Sequence, residues 1–231
     1  MPKKPVPGLQ NDQVKPFADD EIEDSPKISQ QQLNGARLYS SREEYAKSLK
    51  QGIRYLEVGV AWGYSAELFA GASKASSVTL LDWYNQDLKC WSWRKFGSCQ
   101  CQGFKHELLY TPETHEQYIK DKFSNYNLTT VKGEASAMLP TINGEYDFIY
   151  IDISNDRYIT RKVLNLAQRL IPVGGIIGLN DYLIYDGIIE DQPYGTFQTV
   201  NQFLDENKNW VVDGLALHNL GFYDIYIRRE N

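Results

Sequence analysis

The stretch Leu56-Glu57-Val58-Gly59-Val60-Ala61-Trp62-Gly63-Tyr64-Ser65 decides the predicted fold. It places an acidic residue in a short apolar strand, then two glycines separated by three residues, then the start of a helix. Glycines allow the sharp turn from strand to helix and a close approach of the backbone to a ligand. A helix N-terminus favours an anionic group of that ligand. An ordinary tight turn can have the same glycine spacing, so this loop alone does not identify a ligand.

The residues on both sides of this loop alternate between strand and helix patterns. Residues 148–151, for example, are almost wholly apolar, as expected for a parallel strand that is covered on both faces. The predicted strands are 55–60, 78–81, 128–132, 148–151 and 175–179, the predicted helices include 65–72, 158–170 and 196–207, and a closing antiparallel pair is predicted at 210–217 and 222–228. This alternation indicates a doubly wound α/β fold with a mostly parallel sheet, whose ligands bind at the carboxyl ends of the strands.

The chain divides into a polar arm and one domain. Residues 1–34 are rich in Pro, Gln, Lys, Asp and Glu and contain few large apolar groups, so we expect a flexible arm or one that docks on a partner. The domain is predicted to span 35–231. Within it, a long insertion at about 83–110 follows the second strand of the pattern, and we interpret it as a lid or substrate loop.

Composition excludes several classes of function. The net charge is -6 and the sequence pI is about 5.2, so we expect no general nucleic-acid binding. Hydrophobic residues make up 42% of the chain, mean hydropathy is -0.48, and no apolar run is long enough to span a bilayer. We therefore expect a cytoplasmic protein that binds no membrane. The oligomeric state is open, and a homo-oligomer is among the states allowed.

Cysteine spacing gives little support to a zinc site. Cys90, Cys99, Cys101 and His106 lack the usual Cys-x-x-Cys hook, and free reduced thiols are the favoured interpretation. His115 falls in a predicted helix and is interpreted as a surface residue.

Acidic residues at further strand ends extend the candidate site. Asp82 ends the next strand about 25 residues after Glu57, where a carboxylate can bind both hydroxyls of a ribose. Gly133-Glu134-Ala135-Ser136 and Asp152 follow the third and fourth strands. Parallel strands end at one edge, so these features are predicted to share a site with the glycine loop.

Several motifs carry a resemblance to a known family. They are the Glu57–Ser65 loop, Tyr146–Asp152, Asp156-Arg157-Tyr158, Gly174–Tyr182, Leu217-His218 and Gly221–Asp224. With these motifs, the stretch from about residue 37 to 229 resembles class I S-adenosylmethionine-dependent O-methyltransferases. The branches it resembles are the catechol O-methyltransferase-like enzymes and the macrocin/mycinamicin sugar O-methyltransferase-like group. The resemblance implies a Rossmann-like methyltransferase fold and O-methylation of a small hydroxylated acceptor, a sugar or a phenol.

The resemblance also implies roles for individual residues. Gly59 and Gly63 would pack against the methionine part of S-adenosyl-L-methionine, Ser65 would contact its carboxylate, and Glu57 would orient the loop. Asp82 would hold the ribose. The remaining predicted cofactor-binding residues are Trp83, Glu134, Ala135 and Asp152, with Trp83 either stacking on the adenine or serving as a core or lid aromatic.

A metal ion is a further implication of the resemblance. Asp152, Asn180 and Asp181 match the positions that hold Mg²⁺ in metal-dependent branches, and their oxygens are hard ligands suited to Mg²⁺ or Ca²⁺. These residues can instead bind cofactor or cap loops. The sequence departs from the family at Asn155, where a lysine or histidine base is usual. The predicted catalytic residues are therefore Asp181 and His218, unless a metal lowers the pKa of the acceptor hydroxyl.

Two other functions remain as alternatives. A non-catalytic protein that keeps the methyltransferase fold as an interaction module is favoured by Asn155 and the polar arm. An NAD-type dehydrogenase is disfavoured, because the fingerprint Gly-x-Gly-x-x-Gly is not present and a closing hairpin is predicted.

Overall fold

The structure is a computed structural model that describes residues 25–84, 112–154, 156–186, 192–218 and 222–231. Helices and strands follow each other in the order that the sequence predicts. The helices are α1 (Gln30–Leu33), α2 (Arg42–Ser48), α3 (Tyr64–Ser73), α4 (Pro112–Lys122), α5 (Ala135–Met138), α6 (Arg157–Ala167) and α7 (Thr196–Glu206). The strands are β1 (Arg37–Tyr39), β2 (Arg54–Val58), β3 (Ser77–Asp82), β4 (Leu128–Lys132), β5 (Phe148–Ile151), β6 (Ile176–Leu179), β7 (Tyr185–Asp186), β8 (Gln192–Pro193), β9 (Trp210–Leu217) and β10 (Tyr223–Arg229).

Eight of the described strands form one sheet in the order β1-β9-β10-β6-β5-β2-β3-β4. Strand β10 is antiparallel to both of its neighbours, and the other described pairings in this sheet are parallel. The predicted α/β class, parallel sheet and closing antiparallel pair are thus confirmed. Strand β1, which pairs with β9, was not predicted, because three largely exposed residues carry no apolar alternation.

Successive residues of the central strands face two different cores. Tyr55 and Phe148 pack with the helices α2, α3 and α4, whereas their neighbours Leu56 and Ile149 pack with α6 and α7. This alternation explains why β5 is apolar along its whole length. It also keeps helices on both faces of the sheet, so that a ligand can enter only at an edge.

The folded unit begins before residue 35. Gln32 lies in α1, inside the segment predicted to be an arm, and its side chain is buried. Its amide nitrogen donates to the carbonyl oxygens of Leu204 and Trp210 at 2.6 and 3.1 Å. These two bonds fix α1 on the body of the domain, because a buried amide needs partners. Residues 1–24 of the arm and most of the insertion, 85–111, lie outside the described residues. No described helix is long and apolar enough to cross a membrane.

Candidate functional site

A cavity of about 390 Å³ opens at the carboxyl edge of the sheet. Its walls come from the loops and strand ends after β2, β3, β4 and β5, as the sequence predicts for this class of fold. The residues that line it are Gly59, Ala61, Leu81, Asp82, Trp83, Gly133, Glu134, Ala135, Asp152, Ile153, Ser154 and Ile159. Six of the predicted cofactor-binding residues are among them.

The glycine loop needs its two glycines for packing as well as for turning. Gly59 has a φ of 86°, and a Cβ atom there would lie 1.8 Å from the carbonyl oxygen of Asp152. Gly63 has a φ of 69°, and a Cβ atom there would lie 2.8 Å from the ring of Phe123. Glycine adopts positive φ angles without strain, and at these two positions any larger residue would clash at the close approaches. The loop therefore rests directly on the end of β5 and on α4.

Asp82 closes the same loop from the side of β3. One carboxylate oxygen accepts hydrogen bonds from the backbone N–H groups of Val60 and Ala61 at 2.7 and 3.0 Å, and the other accepts from the N–H of Tyr84 at 3.0 Å. The side chain is 6% exposed and lines the cavity. Asp82 thus holds the loop in shape and stands at the position predicted to bind the ribose.

His115 is a functional candidate that the sequence analysis missed. It was predicted to lie on the surface, which is wrong, because the structure buries it completely. Its Nε2 atom lies 2.7 Å from the carbonyl oxygen of Ala61, and its ring packs edge-on against Trp62 and Tyr84. Helical spacing was the signal that could have indicated its burial. Ile119 and Phe123 follow His115 at the four- and eight-residue spacing of one helix face, and both are buried.

Glu57 lies beneath the loop and not in the cavity wall. It is 1% exposed and accepts a hydrogen bond from the hydroxyl of Tyr55. Burial raises the pKa of this carboxyl well above its usual range, and the nearby Asp152 and Asp82 carboxylates raise it further. Glu57 is therefore a buried acid of β2, and it is not among the described residues that line the cavity.

Two more of the predicted cofactor-binding residues, Glu134 and Trp83, also line the cavity. Glu134 caps α5, accepting from the backbone N–H groups of Ser136 and Ala137 at 2.9 and 2.8 Å. These bonds and one from the Ser136 hydroxyl hold the pKa of Glu134 below its usual range. Trp83 lines the cavity and is 51% exposed, so its ring is available to a ligand.

An arginine that was not predicted from the sequence also lies at this edge. The guanidinium of Arg42, from α2, donates to both carboxylate oxygens of Asp224, with distances of 2.6 and 3.0 Å. Its Nη2 atom donates to the side-chain oxygen of Asn180 at 2.7 Å, and its Nη1 atom lies 3.4 Å from the hydroxyl of Ser65. Arg42 and Asp224 are 182 positions apart, and no sequence pattern links them.

The three predicted metal ligands lie together, but their donor atoms do not fit a metal ion. Asp152, Asn180 and Asp181 line a small cavity of about 10 Å³ at the ends of β5 and β6. The oxygen of Asn180 binds Arg42, and its nitrogen donates to Asp152 at 2.9 Å. Turning the amide to offer its oxygen to a metal would set its NH₂ group against the guanidinium. Among the described residues, no group of three or more His, Cys, Asp or Glu side chains could hold a metal.

Asp152 is a second acid at this edge whose pKa is raised. Burial among protein groups raises its pKa to about 6, the Asp224 and Asp82 carboxylates add to the shift, and Arg42 and Asn180 oppose it. The side chain remains open to the cavity, so water there moderates the shift.

The other predicted site residues lie at the edges of this arrangement. Ser65 is buried in the first turn of α3, beside Arg42. His218 follows β9 at the same edge of the sheet, is exposed, and is not among the described residues that line either cavity. Asn155 lies outside the described residues, as do the cysteines and His106.

Comparisons with known proteins agree with this architecture. A family model described as a methyltransferase domain matches residues 56–182. A search of curated proteins finds no match.

The solved structures with similar folds include enzymes that are named for different methylation reactions. An O-methyltransferase from Streptomyces achromogenes, solved with S-adenosylmethionine, has 16% identity and a TM-score of 0.54, covering 82% of this chain and 78% of that one. An O-methyltransferase from Bacillus cereus, solved with S-adenosylhomocysteine, has 16% identity and a TM-score of 0.53, with coverages of 91% and 87%. A ribosomal protein L11 methylase from Lactobacillus delbrueckii has 14% identity and a TM-score of 0.52, with coverages of 82% and 77%. The chain belongs to the methyltransferase domain family and has the fold of the class I S-adenosylmethionine-dependent methyltransferases.

Proposed function

We propose that this protein is an enzyme that transfers a methyl group from S-adenosylmethionine to an oxygen atom of a small hydroxylated acceptor. The observation that carries the proposal is the cavity between the glycine loop, Asp82 and the Glu134-Ala135 turn. A glycine loop supplies backbone for close contact, and an acid at the next strand end supplies acceptors for ribose hydroxyls. The oxygen acceptor is suggested by the motifs at Asp152 and at Gly174–Tyr182, and by two similar folds that are O-methyltransferases.

The proposed reaction is an in-line displacement. The acceptor oxygen attacks the methyl carbon, the carbon–sulfur bond breaks with its electron pair going to sulfur, and the hydroxyl proton passes to a base. The protein contributes mainly by holding acceptor and methyl group in line. Asp181 is the proposed base, because it lies beside Asp152 at the end of β6, and His218 is the second candidate.

Magnesium is not part of this proposal. The resemblance implies it, but the oxygen of Asn180 binds Arg42 and the neighbouring acids number only two in the small cavity. Acceptor identity and a cytoplasmic location rest on the sequence and remain predictions.

Binding and turnover test the proposal separately. Titration calorimetry with S-adenosylhomocysteine should give saturable binding, and radiolabelled S-adenosylmethionine should transfer label to a member of a panel of sugars and phenols. No binding at millimolar cofactor would overturn the proposal. Binding without transfer to any acceptor, on a panel that a control O-methyltransferase methylates, would favour the non-catalytic interaction module instead.

A further inference from the structure

A second cavity lies at the amino edge of the sheet, opposite the cavity beside the glycine loop. Its volume is about 750 Å³, which falls in the range of roughly 300–1,000 Å³ that small-molecule sites occupy. It is bounded by the first residues of three strands, Arg37 of β1, Phe148 of β5 and Ile176 of β6, and by residues 48–53 at the end of α2. This amino-edge cavity shares no lining residue with the cavity beside the glycine loop, so the proposed methyl transfer leaves it without a role.

Strand β1 gives the amino-edge cavity an aromatic wall. Arg37 and Tyr39 line the cavity, whereas Leu38 between them is 70% exposed and does not, as expected for alternate residues of a strand. The half-buried ring of Tyr39 lies against β9 at Gly214, where a Cβ atom would be 2.8 Å from that ring. Tyr39 also packs edge-on against Tyr45, with ring centroids 5.0 Å apart. Contacts with β9 and α2 therefore fix the ring while part of it stays open to the cavity.

The two acids in the cavity wall are already paired with arginines. Asp147 accepts hydrogen bonds from the backbone N–H of Arg54 at 2.8 Å and from its Nε and Nη2 atoms, both at 3.0 Å. The bonds from the guanidinium lower the pKa of Asp147 below its usual range, so this acid stays ionised. Asp213 accepts from Nη1 of Arg228 at 2.6 Å and from the Tyr45 hydroxyl at 3.1 Å. Neither acid needs a further cation from the cavity.

Two cations in the wall have no such partner. Arg37 and Lys50 are exposed and line the cavity, and within the described ranges neither side chain makes an ion pair or a hydrogen bond. The charge of Lys50 acts on Asp147 through space, but no direct bond joins the two side chains. A guanidinium can bind two oxygens of one anion, and an ammonium adds a point charge. An anion in this cavity would therefore meet cationic donors that no described acid occupies.

We propose that the amino-edge cavity binds a small aromatic anion. Its ring packs against Tyr39, and its phosphate or carboxylate group is held by Arg37 and Lys50. An aromatic wall and two unpaired cations in one cavity match the two parts of such a ligand. The inference goes beyond the proposed function and does not depend on it, because the two cavities have no residue in common.

The test separates the two parts of the ligand. The probe 1-naphthyl phosphate carries both a ring and an anion, 1-naphthol lacks the anion, and inorganic phosphate lacks the ring. Calorimetry with each probe is done on the full chain and on the double variant Arg37→Gln with Lys50→Gln. The control is Lys74→Gln with Lys162→Gln, which removes the same charge from exposed residues that do not line this cavity. Thermal unfolding should give the same midpoint for all three proteins, because the substituted side chains are exposed.

The wild type should bind 1-naphthyl phosphate saturably and more tightly than either partial probe. The Arg37/Lys50 double variant should bind it roughly tenfold more weakly, as for lost hydrogen bonds to a charged group. The control should match the wild type, and saturating S-adenosylhomocysteine should not displace the probe.

Three results would each overturn the inference. The first is no saturable binding of 1-naphthyl phosphate at millimolar concentration, or binding no tighter than that of inorganic phosphate. The second is equal affinity in the two double variants. The third is displacement of the probe by S-adenosylhomocysteine, which would place it in the cavity beside the glycine loop.

Discussion

The Nε2 atom of His115 lies 2.7 Å from the carbonyl oxygen of Ala61, so a buried side chain of α4 holds the glycine loop. A carbonyl oxygen can only accept, which assigns the proton to Nε2 and leaves Nδ1 without a described partner. The residue it binds has a φ of 43°, a left-handed conformation that is costly for alanine. The hydrogen bond therefore stabilises the loop in the shape that the cavity requires.

Replacing His115 should loosen this loop. We expect His115→Leu to lower the free energy of unfolding by roughly 1–3 kcal/mol, because the Ala61 carbonyl loses its donor inside the protein. His115→Gln, whose amide can donate from nearly the same position, should lose less. Urea unfolding measures the first effect, and the affinity for S-adenosylhomocysteine should fall in the same order. Equal stability and affinity in both variants would contradict the assigned role.

Asp82→Ala should weaken both the fold and the cofactor site. Three backbone N–H groups, those of Val60, Ala61 and Tyr84, would lose their acceptor. The expected loss of stability is roughly 1–3 kcal/mol, with a further loss of cofactor affinity of similar size if the carboxylate also binds the ribose. Asp82→Asn keeps one acceptor oxygen and serves as the matched variant. Calorimetry with adenosine and with 2′,3′-dideoxyadenosine separates the two effects, because only adenosine should respond to a ribose contact.

Gly59→Ala should destabilise the domain far more than a comparable change elsewhere. Gly174 is the control, since its φ of 83° is close to the 86° of Gly59 but a Cβ atom there would meet nothing within 4 Å. Both substitutions incur the left-handed backbone cost of roughly 1–2 kcal/mol. Gly59→Ala adds a clash at 1.8 Å with the Asp152 carbonyl. Thermal unfolding of the two variants should therefore differ clearly, and equal midpoints would show that the loop does not rest on β5.

The raised pKa of Asp152 predicts that the stability of the fold depends on pH. Burial raises it to about 6, whereas an unfolded aspartate titrates near about 3.9. The folded state thus binds this proton more tightly, so the group stabilises the fold below about pH 4, and this contribution is lost as the pH rises through about 6. Asp152→Asn should lose this pH dependence. Urea unfolding between pH 4 and 7 compares the two proteins, and identical pH profiles would contradict the raised pKa.

Metal binding can be tested without a methyl-acceptor substrate. Because the Asn180 oxygen is bound to Arg42, we expect Mg²⁺ to give no saturable heat or signal on titration into the wild type. A chelator should likewise leave methyl transfer unchanged. A saturable Mg²⁺ site that Asp181→Ala abolishes would restore the metal-dependent interpretation.

The glycine-loop side of the candidate site was predictable because its determinants are local. Glu57, Gly59 and Gly63 lie in one strand-turn-helix segment, and glycine at positive φ is a backbone requirement that a sequence records directly. Asp82 could be placed as well, since parallel strands bring their carboxyl ends to one edge. Its two bonds to the backbone of the glycine loop were not predictable, because they depend on how far β3 extends past β2.

The polar contacts around Asp152, Asn180 and Asp181 were decided by tertiary structure. Sequence spacing brought Asp152, Asn180 and Asp181 together correctly, but the direction in which the Asn180 amide points depends on Arg42, 138 positions away. The burial of His115 likewise depends on tertiary contacts, since a histidine in a helix is buried or exposed according to what packs against its side of the helix. The sequence by itself determined the fold class, the strand-turn-helix order around the glycine loop and the sheet edge that carries the candidate site. Only the tertiary structure decided which polar atoms at that edge remain free, because hydrogen-bond partners are set by contacts between residues distant in the chain.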